Sequence, residues 1–121
     1  MITAEEMTIY RAAAERRKRR QQDALRERRA QALETACQLA AMLRERFSAT
    51  RIMLFGSSLH PHWYSTTSDI DLAVWGIAPS QFYAAVAHCQ DQDSAFSVDL
   101  IDMSDCPSSL RAVIVSEGID L

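Results

Sequence analysis

The stretch 54-LFGSSLHPHWYSTTSDIDLAVWG-76 places a Gly-Ser pair at the end of one apolar run and an Asp-x-Asp at the start of the next. Alternate side chains of a strand share a face, so Asp69 and Asp71 project one way while Ile70, Leu72 and Val74 project the other, into a core. The two Asp Cα atoms then lie roughly 7 Å apart, close enough for both carboxylates to grip hard cations between them. The run 96-FSVDLID-102 repeats the pattern, with Asp99 between core-facing Val98 and Leu100, so a neighbouring strand can bring a third carboxylate to the same patch. Three ionised acids on one patch repel each other unless cations neutralise them. Magnesium is the natural candidate, because two-metal sites hold ions about 3.5 to 4 Å apart and use them on the attacking and leaving oxygens of phosphoryl or nucleotidyl transfer. Gly56-Ser57 supplies the other half of such a site. A Gly directly after a strand lets the backbone approach a phosphate closely, and N–H groups with a Ser hydroxyl then donate to its oxygens.

Outward from this stretch, RIMLF at Arg51–Phe55 reads as a short buried strand closed by Gly56-Ser57, and Ile70–Trp75 as a second strand ending at Gly76. Between them lies a loop with Pro61 and a Ser/Thr cluster. Pro79 and Ser80 open a helix over 81–90, and 96–102 reads as a third strand. Pro107 and Gly118 bracket a last helix with Leu110, Val113 and Ile114 facing inward. Upstream, no Gly or Pro precedes Gly56, and Ala, Arg, Gln, Glu and Leu abound, predicting a long helix with at most one break. From Leu33 its apolar residues fall at Leu33, Ala36, Cys37, Ala40, Leu43 and Phe47, one face packed on a core. Before Leu33 that stripe thins out, so residues 1–32 read as a basic helical extension and 33–121 as the folded domain. The order helix, strand, strand, helix, strand, helix predicts an α/β (α+β) fold, a small mixed sheet covered by helices.

A length of 121 residues with 48% hydrophobic content suits one compact domain. The net charge of −3 hides an asymmetry. Residues 11–30 carry nine Lys or Arg against three acids, a balance of +6, while 31–121 carry four Arg against eleven acids, a balance of −7. Cys37, Cys89 and Cys106 are odd in number and widely spaced, which indicates neither a disulfide framework nor a zinc site. The start, MITAEEM, lacks the charged and apolar regions of a signal peptide, and no apolar run approaches membrane-spanning length, so the expectation is a cytoplasmic protein with no membrane partner.

GSSLHPHWYSTTSDIDLAVWG, followed by FSVDLID and the closing LRAVIVSEGIDL, resembles the minimal nucleotidyltransferases of the DNA polymerase beta superfamily over about residues 33–121. The resemblance implies a polymerase beta-like nucleotidyltransferase fold. It implies that Gly56 and Ser57, with Ser58 beside them, hold the triphosphate of ATP, and that Asp69 and Asp71 ligate two magnesium ions. Asp99 would complete the metal site and assist deprotonation of an acceptor hydroxyl. Two departures stand out. Eleven residues separate Ser57 from Asp69, one more than is common, and the Arg that often follows Gly-Ser is replaced by Ser58-Leu59-His60. Positive charge near the phosphates must then come from elsewhere, in part from His60. Members of this size resemble the antitoxin halves of toxin–antitoxin modules, which pair with a small helical HEPN ribonuclease and in some cases transfer AMP from ATP onto a tyrosine of that toxin. A hetero-oligomer with such a HEPN-type partner is therefore expected.

Other features carry blander readings. The run RRKRR at 16–20 reads first as a solvated helical face or a partner contact, and second as a grip on nucleic acid, a reading weakened by the few aromatics interleaved with it. His60 and His62 without a third ligand read as loop. Trp63, Tyr64 and Trp75 read as packing before base stacking. Asp102 is out of phase with Asp99 and faces away, barring a bulge. Arg111 is balanced between reaching phosphate and pairing on the surface, and His88 and Cys89 read as ordinary helix residues. Two rivals to the enzyme remain: an antitoxin of weak activity that neutralises its partner by binding, and a nucleic-acid-binding module working through the basic helix.

Overall fold

The computed structural model describes residues 1–59, 69–92 and 95–121. Helix α1, Ala4–Phe47, runs 44 residues without a break, about 66 Å at the usual rise. Its start is fixed by a capping box: the Thr3 hydroxyl accepts the Glu6 N–H at 3.1 Å and the Glu6 carboxylate accepts the Thr3 N–H at 3.4 Å. Two orphan backbone donors are satisfied in this way. The helix stops at Ser48, whose φ of 60° and ψ of 29° turn the chain left-handed while its N–H donates to the Leu43 carbonyl.

Four strands follow: β1 (Arg51–Phe55), β2 (Ile70–Trp75), β3 (Val98–Asp102) and β4 (Ile119–Asp120), in the spatial order β3-β2-β1-β4. β1 pairs antiparallel with β2 and β4, and β2 pairs parallel with β3. The parallel pair needs a crossover, which α2 (Pro79–Gln92) supplies. A short 3-10 turn, Met103–Asp105, leads into α3 (Ser108–Glu117) and back to the edge strand β4. The third strand is shorter than the 96–102 expected, and β4 was not foreseen in the sequence. Two residues are too few to show periodicity.

The alternation read from β2 holds, since Ile70, Leu72 and Val74 join Ile52 and Leu54 in the main core beneath α1 and α2. The opposite face carries a smaller cluster of Met53, Ala73, Met103 and Ile114 under α3. From α1 the core takes Ala32, Ala36, Leu39, Ala40, Leu43 and Phe47. Cys37, expected on that face, is exposed; one residue turns a helix by about 100°, so once Ala36 and Ala40 face the sheet Cys37 cannot. α3 also differs from expectation. Its buried residue is Ile114, with Leu110 and Val113 left at 39% and 50% exposure, because the cluster it joins, Met53, Ala73 and Met103, is small. α1 passes through residue 32 without interruption, and its packing reaches back to Leu25. Residues 1–24 are exposed apart from half-buried Ala12 and Ala13.

Candidate active site

The chain leaves β1 in a 3-10 turn, Gly56–Leu59. Gly56 has a φ of +83°, and a Cβ there would stand 2.3 Å from an oxygen of the Asp71 carboxylate. Both the left-handed conformation and the close approach demand glycine. The turn is thus pressed directly onto the second acid of the Asp-x-Asp. Ser57 is half-buried. Ser58 is 1% exposed, and its hydroxyl donates to the Asp69 carbonyl at 3.2 Å. From α1, the Arg29 Nε donates to the Ser58 carbonyl at 2.7 Å.

Asp71 and Asp99 are direct partners in the parallel β2–β3 register, so their side chains leave the same face of the sheet. Burial is the main cause that pushes the Asp71 carboxyl up to about 6, followed by the charges of Asp99 and Asp69 and a side-chain hydrogen bond with Asp99. Asp71 is therefore caught between a dry environment and two like charges. Hydrogen-bonding to Asp99 in the protonated form relieves part of that conflict. Among the described residues, no three His, Cys, Asp or Glu side chains form a ready-made metal-binding group. The chemistry of the donor set nevertheless fits a hard divalent cation: oxygen ligands only, excess negative charge, and a carboxyl whose ionisation lacks a countercharge.

The remaining sequence candidates have other roles. Asp102 caps the turn after β3, accepting from the Ser104 N–H at 3.0 Å and the Ser104 hydroxyl at 2.7 Å. Arg111 donates to the Met103 carbonyl at 2.6 Å. Arg51 lies over the Trp75 ring at 4.7 Å and pairs with Asp120 at 2.8 Å, and His88 meets Phe47 edge-on. Burial pushes the Cys89 thiol up to about 11, far from a reactive thiolate. His60, His62, Trp63 and Tyr64 lie outside the described residues. Sequence reasoning passed over Arg28 and Arg29. The Arg28 guanidinium stacks on Phe96 at 4.5 Å and donates to the Ala95 carbonyl at 3.0 Å. Both arginines sit in helical phase between Leu25 and Ala32, a signal that was available.

The sequence model of the polymerase beta nucleotidyltransferases matches residues 38–121, which include the Gly-Ser turn and all three aspartates. The chain belongs to the polymerase beta nucleotidyltransferase family. No curated protein matches it. Among solved structures, this nucleotidyltransferase is similar to a chain of the complex between the tri-AMPylated Shewanella oneidensis HEPN toxin and its MNT antitoxin, with 20% identity, 74% of this chain and 70% of that one covered, and a TM-score of 0.56. It is also similar to a chain of the MntA–HepT toxin–antitoxin complex, with 21% identity, 73% and 69% covered and a TM-score of 0.55. A toxin–antitoxin structure with AMP-PNP gives 23% identity, 72% and 69% covered and a TM-score of 0.58. At such identities these likenesses establish the nucleotidyltransferase fold. Among the described residues of this nucleotidyltransferase, no helix is long and apolar enough to cross a membrane.

Proposed function

We propose that the chain transfers AMP from ATP to a hydroxyl of a partner protein, a tyrosine of a HEPN-type toxin, and so acts as the antitoxin of a two-component module. The observation that carries this reading is the register of Asp71 with Asp99 on one sheet face, with the Gly56 backbone packed against the Asp71 carboxylate. Gly56 and Ser57 hold the triphosphate through backbone N–H groups and a hydroxyl, placing the α-phosphate over the aspartates. Asp69, Asp71 and Asp99 are the residues that would hold magnesium. Bound there, magnesium would supply charge neutralisation at the phosphates and lower the cost of ionising the acceptor hydroxyl. Asp99 takes the hydroxyl proton as the oxygen bonds to the α-phosphorus, and the bond from that phosphorus to the bridging oxygen breaks to release pyrophosphate. The neighbours described as an AMPylated toxin complex and an AMP-PNP complex support this choice of donor and acceptor.

Incubation with labelled ATP, magnesium and the product of its neighbouring gene should label that product, and mass spectrometry should locate the adduct on tyrosine. Asp69→Ala and Asp71→Ala should abolish labelling while leaving the circular dichroism spectrum intact. Undiminished labelling by either variant would reject the reading. The exposure of residues 1–24 supports a second reading, neutralisation by contact through the basic helix. Under it the aspartate variants would still silence the toxin, whereas deletion of 1–24 would not.

A further inference from the structure

We infer that Arg29 of α1 is a positioning residue for the nucleotide-binding turn, doing from a distant helix what the turn's own sequence does not provide. The inference rests on the nucleotide-binding reading of Gly56 and Ser57. A four-residue turn that binds phosphate through N–H groups must hold those groups in one direction, and Gly56 at its head has no side chain to restrict its backbone. Ser58 is where the turn is tied down. Its hydroxyl reaches the Asp69 carbonyl at 3.2 Å, and its own carbonyl accepts the Arg29 Nε at 2.7 Å in a part-buried setting. One buried residue thus joins α1, the Gly-Ser turn and the lead into β2. The part-buried Ser58 carbonyl has a donor at 2.7 Å, and leaving it without one would cost the turn its anchor on α1. The neighbouring arginine works differently: Arg28, stacked on Phe96 and bonded to the Ala95 carbonyl, anchors the helix to the body. Among the described residues no hydrogen bond or ion pair joins Arg29 to an acid, and it acts through Ser58.

The test separates position from charge. Glutamine places an amide nitrogen the same number of bonds from Cα as the arginine Nε, without charge. Lysine keeps the charge but sets its donor one atom further out. For the wild type, Arg29→Gln, Arg29→Lys and Arg29→Leu, the KM for ATP and kcat are measured in the transfer assay. Direct binding of a fluorescent ATP analogue with magnesium is measured alongside, at a temperature well below the lowest melting point. Expected are near wild-type affinity for Arg29→Gln, a several-fold weakening for Arg29→Lys and about a tenfold rise in KM for Arg29→Leu, the loss of the hydrogen bond to the Ser58 carbonyl. Should Arg29→Leu fail to fold, the ranking of Gln above Lys decides. Lys matching the wild type while Gln fails would overturn the inference, since charge would then be what matters. So would variants that shift the melting point and leave KM unchanged. A wild type that binds no nucleotide would instead sink the functional reading, and this inference with it.

Discussion

Asp71 sets site and stability against each other within a single side chain. Its carboxyl stands at about 6 in the folded protein, against an ordinary 3.8, so between those values the folded state holds a proton that the unfolded state has released. Its favourable contribution to folding is complete below about pH 4 and is lost as pH rises through about 6. Asp71→Asn, measured with divalent cations chelated, should therefore raise the melting temperature at pH 7.5, and the gain should vanish towards pH 4. Transfer activity should be lost at both. Identical melting of variant and wild type at pH 7.5 would mean that the crowding of Asp69, Asp71 and Asp99 costs nothing. The shared face of Asp71 and Asp99 was legible in the sequence because a strand's two-residue period fixes it, whereas Asp69 lies just before β2. Ser58 was legible only as one more residue of the turn. Its burial, and its bonds to Asp69 and Arg29, depend on where a helix 29 residues upstream comes to rest.

At the scale of the element, α1 is two things in one helix. From Leu25 it packs on the core, and before that it stands in solvent. An isolated helical stretch of this length is marginal in water, so its order is carried by continuity with the docked half and by the Thr3–Glu6 capping box. That box was written in the sequence as Thr-x-x-Glu. Deletion of residues 1–24 should leave urea unfolding of the domain nearly unchanged. Deletion of 1–31 removes Leu25, Arg28 and Arg29 and should lower the midpoint clearly; equal midpoints would show that those three contacts contribute no stability. At the other end, Ser48 holds a left-handed conformation at φ 60° while exposed. That conformation costs roughly 1–2 kcal/mol for a residue with a Cβ, and glycine adds about 0.5–1 kcal/mol of unfolded-state entropy. Ser48→Gly should accordingly stabilise the protein by about 0.5–1 kcal/mol in urea titration. Elements with a long periodic pattern or bracketing Gly and Pro were readable with good boundaries. Faces were less so: Cys37 and Val113 fit a helical stripe, but only the surface beneath decides which edge of a stripe is buried.

For the whole molecule, the basic α1 arm and the acidic body are separated along the chain, +6 over residues 11–30 against −7 over 31–121. The body's acids include Asp71 and the two whose charges raise it, Asp99 and Asp69, and among the described residues no cation pairs with them. Without a bound cation the protein is held below its attainable stability by this like-charge arrangement, which under the proposed function binds a charged ligand. A ligand that binds only the folded state should recover that deficit. With magnesium and a non-hydrolysable ATP analogue at about a hundred times the dissociation constant, linkage gives about 2.7 kcal/mol, a rise on the order of 10 °C for a domain of this size. Because Asp71 must shed its proton before it can bind a cation, the rise should be largest at pH 7.5 and much smaller at pH 5, below the carboxyl's value of about 6. Chelation should erase it at both. Differential scanning calorimetry at the two pH values, with and without magnesium, reads this directly. A nucleotide-induced shift of equal size at pH 5, or one that survives chelation, would mean that the nucleotide is held without the aspartates, and the metal-dependent reading would fall.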